Sequence, residues 1–210
     1  MRRLFAASLF AAATLAGPQA HAADQVRSVA PFTSVANSGP FSLRIEVGKT
    51  QSVTVSGSPE FLQALRTEVA GGQLQLSMRE HGVGKRWGDP QVTITVPQLS
   101  AFAMSGAGET TLTHLAGGRL DIEFSGAGSI KADGSLDKLH LEVSGVGSID
   151  TRELHADSAD VDVSGVGSVK VYAASRLDAN VSGVGSVTYY GSPKVANTHT
   201  SGIGSISRGR

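Results

Sequence analysis

Apolar and polar residues alternate along the second half of this chain, and each alternating run ends on the same tetrapeptide. Leu120, Ile122 and Phe124 share one face while Asp121 and Glu123 share the other. The pattern returns as Leu139, Leu141 and Val143 against His140 and Glu142, then as Ala159, Val161 and Val163 against Asp160 and Asp162. A period of two predicts strands buried on one face. Beyond each tetrapeptide, Ile130, Ile149, Val169, Val187 and Ile206 hold one equivalent position, which predicts a second strand in each unit. Polar stretches such as Ala132-Asp133-Gly134-Ser135 and Ala173-Ala174-Ser175-Arg176 predict a second corner between the two.

The tetrapeptide is SG[AVI]G. It begins at Ser105, Ser125, Ser144, Ser164, Ser182 and Ser201, with successive spacings of 20, 19, 20, 18 and 19 residues. A period near twenty is the signature of a solenoid whose repeats stack on their neighbours. The predicted fold class is therefore all-β: a β-solenoid, or β-helix-like superhelix, with coils of about 19 residues and SG[AVI]G corner turns. Its structural turn residues are Gly106 and Gly108, Gly126 and Gly128, Gly145 and Gly147, Gly165 and Gly167, Gly183 and Gly185, and Gly202 and Gly204. A tight reversal calls for φ > 0, which glycine adopts without a Cβ penalty, so both glycines of each turn are expected there. The apolar residue between them (Ala107, Ala127, Val146, Val166, Val184, Ile203) is expected to point into the core. Its growth from Ala to Ile predicts an interior that widens toward the C-terminus.

The first hundred residues are less regular. Met1-Arg2-Arg3, an apolar run from Leu4 to Ala16 and the small-x-small site Ala20-His21-Ala22 make an export signal, with cleavage expected after Ala22. Residues 23–100 read as opening strands and an N-terminal cap, and residues 101–207 as the regular array, together one domain over residues 30–207. Phe41–Val47, Gln51–Ser56, Gln73–Met78 and Gln91–Val96 are predicted strands, with a helical turn over Pro59–Leu65. A cap is expected because an exposed sheet edge invites aggregation.

Composition narrows the function classes. The formal charge is zero, and removing Arg2 and Arg3 leaves 16 basic against 18 acidic residues, so there is no basic footprint for nucleic acid. Cysteine is absent, which excludes disulfides, thiolate metal sites, a cysteine nucleophile and a lipid anchor on cysteine. No segment after the export signal reaches transmembrane length. The mature chain is expected in the periplasm, secreted or at the cell surface, and charge at Arg208 and Arg210 favours a monomer or weak dimer.

Little in the chain points to chemistry. His81, His114, His140, His155 and His199 fall on different units with no HxH or HExxH spacing. The GxSxG elbow is absent, and the GxG elements lead into strands, not helices. No catalytic, cofactor-binding or metal-binding residues are assigned. The interaction candidates are an outward acidic ladder of Glu123, Glu142 and Asp162, with Asp121, His140, Asp160 and Asp178 in the next ladder, and Trp87. The acidic ladder reads either as a solvated face or as a strip for a divalent cation or cationic partner, since stacked carboxylates repel unless bridged. No arginine stands at an equivalent position in it. Trp87, in a glycine-punctuated loop over residues 79–90, either stacks on an external ligand or folds back over the solenoid edge.

The six SG[AVI]G turns, with TVSGSPEFLQAL (residues 54–65), QVTITVPQLS (residues 91–100) and VTYYGSPKV (residues 187–195), resemble the DUF2807 family, named as an auto-transporter adhesin, head GIN domain. The resemblance covers about residues 30–206. It implies a β-helix-like solenoid without the catalytic residues of pectin lyases or acyltransferases, and an adhesive role. No barrel-forming region, stalk or anchor accompanies it in this sequence. The resulting expectation is an exported, non-enzymatic interaction or adhesion module whose partner is another envelope protein or a surface glycan. The alternative is a lyase-like polysaccharide-active enzyme using the acidic ladder, which would need clustered carboxylates with a base in one groove.

Overall fold

Each Ser-Gly pair interrupts strand pairing, and between successive pairs the chain runs once around a superhelix. These are features of a computed structural model that describes residues 23–79, 87 and 89–210; residues 1–22, where an export signal is expected, and residues 80–86 and 88 lie outside the described residues. Four long strands, β9 (Ala107–Phe124), β10 (Ala127–Val143), β11 (Val146–Val163) and β12 (Val166–Val181), are each one coil. They stack in parallel, and β13 (Val184–Tyr190), β14 (Val195–Thr200) and β15 (Ile203–Arg208) continue the stack over β12 and β13.

The register converts sequence alternation into ladders. Ile122, Leu141, Val161 and Ala179 lie in one inward column and Phe124, Val143, Val163 and Val181 in the next, all buried. On the other leg Ile130, Ile149, Val169 and Val187 form the matching column. The core is thus a set of thin stacks, which lets a chain with 5% aromatic residues bury enough apolar surface. The second corner is no loop. Pairing runs through it with a register shift near Lys131 and Asp133, and Gly134 takes φ +132° where a Cβ would meet the Leu115 carbonyl.

The SG[AVI]G corner differs from expectation in two ways. Val146, Val166, Val184 and Ile203 point outward, at 58, 49, 49 and 80% exposure, and Ala107 and Ala127 are exposed too; there is no widening interior. The glycines explain why, because their Cα hydrogens face the neighbouring coil along the stack and the residue between them is turned away from the core. A Cβ on Gly126, Gly145 or Gly165 would lie 2.0–2.2 Å from the first-glycine carbonyl oxygen of the coil beneath. The first glycine of each turn has no positive φ; only Gly108, Gly128, Gly147 and Gly167, among the second glycines, do. Close approach, not left-handed backbone, is what the first glycine provides.

The early strands are β1 (Ala23–Val26), β2 (Ser34–Asn37), β3 (Ser42–Val47), β4 (Ser52–Gly57), β5 (Leu65–Ala70), β6 (Gln73–Met78), β7 (Gln91–Val96) and β8 (Ala101–Met104), with helix α1 at Pro59–Ala64. β2 and β3 form a further coil with its own corner at Ser38-Gly39. Ser105 and Gly106 donate to the Asn37 carbonyl, as later corners donate to the coil before them, and Pro40 bridges to Ala107. This coil sits between β6 and β7 on one side and β8 and β9 on the other. The chain therefore leaves after β3, builds the cap, and returns at β8 to resume stacking.

Capping is done by a change of pairing sense. β5 joins β6, β4 joins β7 and β1 joins β4, all antiparallel. Ser58 caps α1 by accepting from Phe61 N–H at 3.2 Å, with Pro59 at the first helical position. Phe61 is fully buried between Phe41 and Trp87, ring centroids 5.8 and 6.0 Å away, edge to face. At the other end the inward ladders turn polar: Val181 pairs with Thr200, Ala179 with Thr198 and Tyr189 with Arg208. β14 is exposed along its whole length.

Candidate ligand-binding face

The leg that precedes each SG[AVI]G corner carries three outward columns. On β9 these are Arg119, Asp121 and Glu123, alternating with buried Leu120, Ile122 and Phe124. Strand register stacks Lys138, His140 and Glu142 on them, then Ser158, Asp160 and Asp162, then Arg176, Asp178 and Asn180. The parallel, in-register ladder fixes a rise of about 4.8 Å between equivalent side chains.

Glu123, Glu142 and Asp162 do share one column, as the alternation implies. Asn180 relieves its upper end by donating to Asp162 Oδ1 at 3.3 Å. Among the described residues no three His, Cys, Asp or Glu side chains are grouped so as to hold a metal ion. Trp87 is not on this face. It is buried in the cap against Phe61, which removes the exposed-stacking reading, because the ring is used to close the end of the core.

The middle column, Asp121, His140, Asp160 and Asp178, is where cations gather. Arg119 holds Asp121 through Nε at 2.8 Å and Nη2 at 2.7 Å, and this hydrogen bond raises the guanidinium pKa further. Arg176 Nε donates to Asp178 at 2.5 Å. Asn197 donates to the same carboxylate at 2.6 Å, and these two bonds, Asn197 first, hold Asp178 below the usual carboxylate range. His140 Nδ1 stands 3.5 Å from Asp160 Oδ2.

No arginine stands at the positions equivalent to the acids. The cations instead occupy the adjoining column, two residues earlier on each strand, as Arg119, Lys138 and Arg176. Extending the count back from each corner by one more alternation would have revealed it. Ser158 interrupts this column, and the short side chain leaves a groove of about 310 Å³ bordered by Lys138, His140, Asp160 and the two arginines. A second polar cluster was also missed. Arg152 binds Asp150 through Nε at 2.9 Å and Nη2 at 2.8 Å, and lies 5.7 Å from the Tyr190 ring centre. Beside it the His155 and Tyr172 rings lie 4.4 Å apart, tilted at 50°; these rings and Tyr190 come from different coils, so spacing alone hides their meeting.

The DUF2807 sequence profile, described as "Putative auto-transporter adhesin, head GIN domain", matches residues 31–193. The match ends before β14 and β15. A crystal structure from Bacteroides fragilis NCTC 9343, described as a "putative adhesin", superposes with a TM-score of 0.74 at 23% identity, covering 91% of this chain and 98% of that one. A second, described as a "putative lipid binding protein" from Parabacteroides distasonis ATCC 8503, gives 0.51 at 20% identity, covering 90% and 97%. Both show the fold. No curated protein matches the chain.

Proposed function

We propose, because this chain belongs to the DUF2807 family, that it is an exported, non-enzymatic module of the cell envelope or cell surface that works by binding. The family description names an adhesin, and the Bacteroides fragilis protein of the same fold carries the same word. The observation that carries the reading is the groove at Ser158, where donors and acceptors are gathered on a rigid, flat sheet face. Its arginines are spent on aspartates, so they set the charge pattern of the groove for recognition. No helix among the described residues is long and apolar enough to cross a membrane.

One feature favours the lyase-like alternative: carboxylates and cations do share this groove, the arrangement that alternative required. Depolymerisation assays on acidic polysaccharides therefore accompany the main test. That test is fractionation of cells producing the full chain, with mass spectrometry of its N-terminus. The reading expects a product beginning at Ala23 in periplasmic, surface or secreted fractions. A full-length product confined to the cytoplasm would contradict it.

A further inference from the structure

The four rungs of the charged face are not equivalent. The first and last are closed by ion pairs within a strand, Arg119 with Asp121 and Arg176 with Asp178. The inner two are left open. Two residues beyond Lys138 stands His140 where the closed rungs have an aspartate, and no carboxylate lies within ion-pair distance of Lys138 among the described residues. Ser158 stands two residues before Asp160, which has His140 Nδ1 at 3.5 Å and feels Arg119 at longer range, and among the described residues the serine hydroxyl makes no hydrogen bond. An uncommitted ammonium, an uncommitted hydroxyl and an accessible carboxylate thus line one groove of about 310 Å³, at the small end of the range for ligand sites.

We infer that this groove binds carboxylate-bearing sugars of an acidic polysaccharide, with the glycan chain laid along the solenoid axis; the inference rests on reading the chain as a binding module. A ligand here must supply an anion to Lys138 and Ser158 and hydrogen-bond donors to Asp160. A run of acidic side chains supplies the anion but no hydroxyl donors beside it for Asp160. A neutral glycan supplies hydroxyl donors but leaves Lys138 unmatched. A uronate sugar carries both groups on one ring. The direction follows from the ladder, because the coil rise of about 4.8 Å is close to the length of one pyranose unit, so successive sugars meet successive rungs.

Purified protein would be titrated calorimetrically with polygalacturonate, alginate and hyaluronan, with methyl-esterified polygalacturonate, dextran and polyglutamate for comparison. At least one uronate polymer binds, binding weakens as salt rises, and the esterified polymer and dextran do not bind. Lys138→Ala lowers affinity about tenfold or more, the worth of one charge-assisted hydrogen bond. Ser158→Glu, which sets a carboxylate beside Lys138 at a half-buried position, abolishes binding while the circular dichroism spectrum is unchanged and Tm holds within about 2 °C. The inference is overturned if no uronate polymer binds, if polyglutamate binds as tightly, or if both variants bind like the wild type. Release of unsaturated sugars, seen by ultraviolet absorbance, would instead overturn the non-enzymatic reading while supporting the groove's ligand class.

Discussion

Replacing Gly165 by alanine puts a methyl carbon 2.1 Å from the carbonyl oxygen of Gly145 in the coil beneath. An ordinary carbon–oxygen contact is about 3.3 Å, so the two coils must part by roughly 1 Å at this corner. The same oxygen accepts from Val166 N–H at 2.9 Å, and Ser164 and Gly165 donate to the Val143 carbonyl at 2.8 and 3.0 Å. Lengthening each by that amount takes it past hydrogen-bonding range. Three bonds at about 1 kcal/mol each give a loss of about 3 kcal/mol, or about 6–12 °C in Tm for a chain of this size. Gly118→Ala is the control, since the nearest atom to its added Cβ is Asp137 Oδ2 at 3.7 Å, an ordinary contact, and its Tm should hold within about 2 °C. Thermal unfolding followed by circular dichroism reads both. If Gly165→Ala also melts within two degrees of the wild type, the claim that corner glycines are required by contact between coils is wrong.

Substituting the outward corner residues, as in Val146→Ser or Val166→Ser, should leave Tm within about 2 °C, whereas Leu141→Ala in the inward ladder should cost about 2–5 kcal/mol in urea unfolding. Phe61→Ala should cost about 3–5 kcal/mol and red-shift the fluorescence of Trp87, the ring it packs against. Burial alone would raise the Asp150 carboxyl, but hydrogen bonds from Arg152 and the charges of Arg152 and Lys170 outweigh it and hold the group below the usual carboxylate range. Its stabilisation is therefore complete above the unfolded value of about 3.9 and is lost as pH falls through the lower folded value; Asp150→Asn should flatten the loss of stability seen on acidification. Millimolar calcium should leave Tm unchanged, and Glu142→Gln should be neutral or mildly stabilising, since among the described residues no three His, Cys, Asp or Glu side chains are grouped to hold a metal ion; a calcium-dependent rise lost in Glu142→Gln would assign the Glu123–Glu142–Asp162 column a cation.

The sequence was most informative where one side chain had to repeat. Ile130, Ile149, Val169 and Val187 occupy the single buried column their spacing implied, because a period of two fixes which face is inside. Parity did not extend through the corner. Between Phe124 and Ile130 the backbone turns about glycines that have no side chain to bury, so an apolar residue there carried no information about direction, and Val146 and Ile203 came out exposed. The corner at Ser38-Gly39 was hidden because Pro40 and Phe41 replace the usual small residue and second glycine, although Ser-Gly itself is retained. Charges on the candidate face were half legible. The acids were found by counting back from the corner, but the significance of Lys138 and Ser158 depends on what their neighbours in other coils do, and that is a property of the stack.

Lysine footprinting tests the ligand-binding claim most directly. The protein would be acetylated briefly with and without a uronate polymer, and each lysine's labelling read by mass spectrometry. Lys131 and Lys170 face outward on the other leg of the coil and serve as internal references. The account predicts protection concentrated at Lys138, with Lys131 and Lys170 labelled equally in both conditions and the protection lost in Ser158→Glu. Equal labelling of Lys138 with and without polymer, or protection spread evenly over all three lysines, would contradict it.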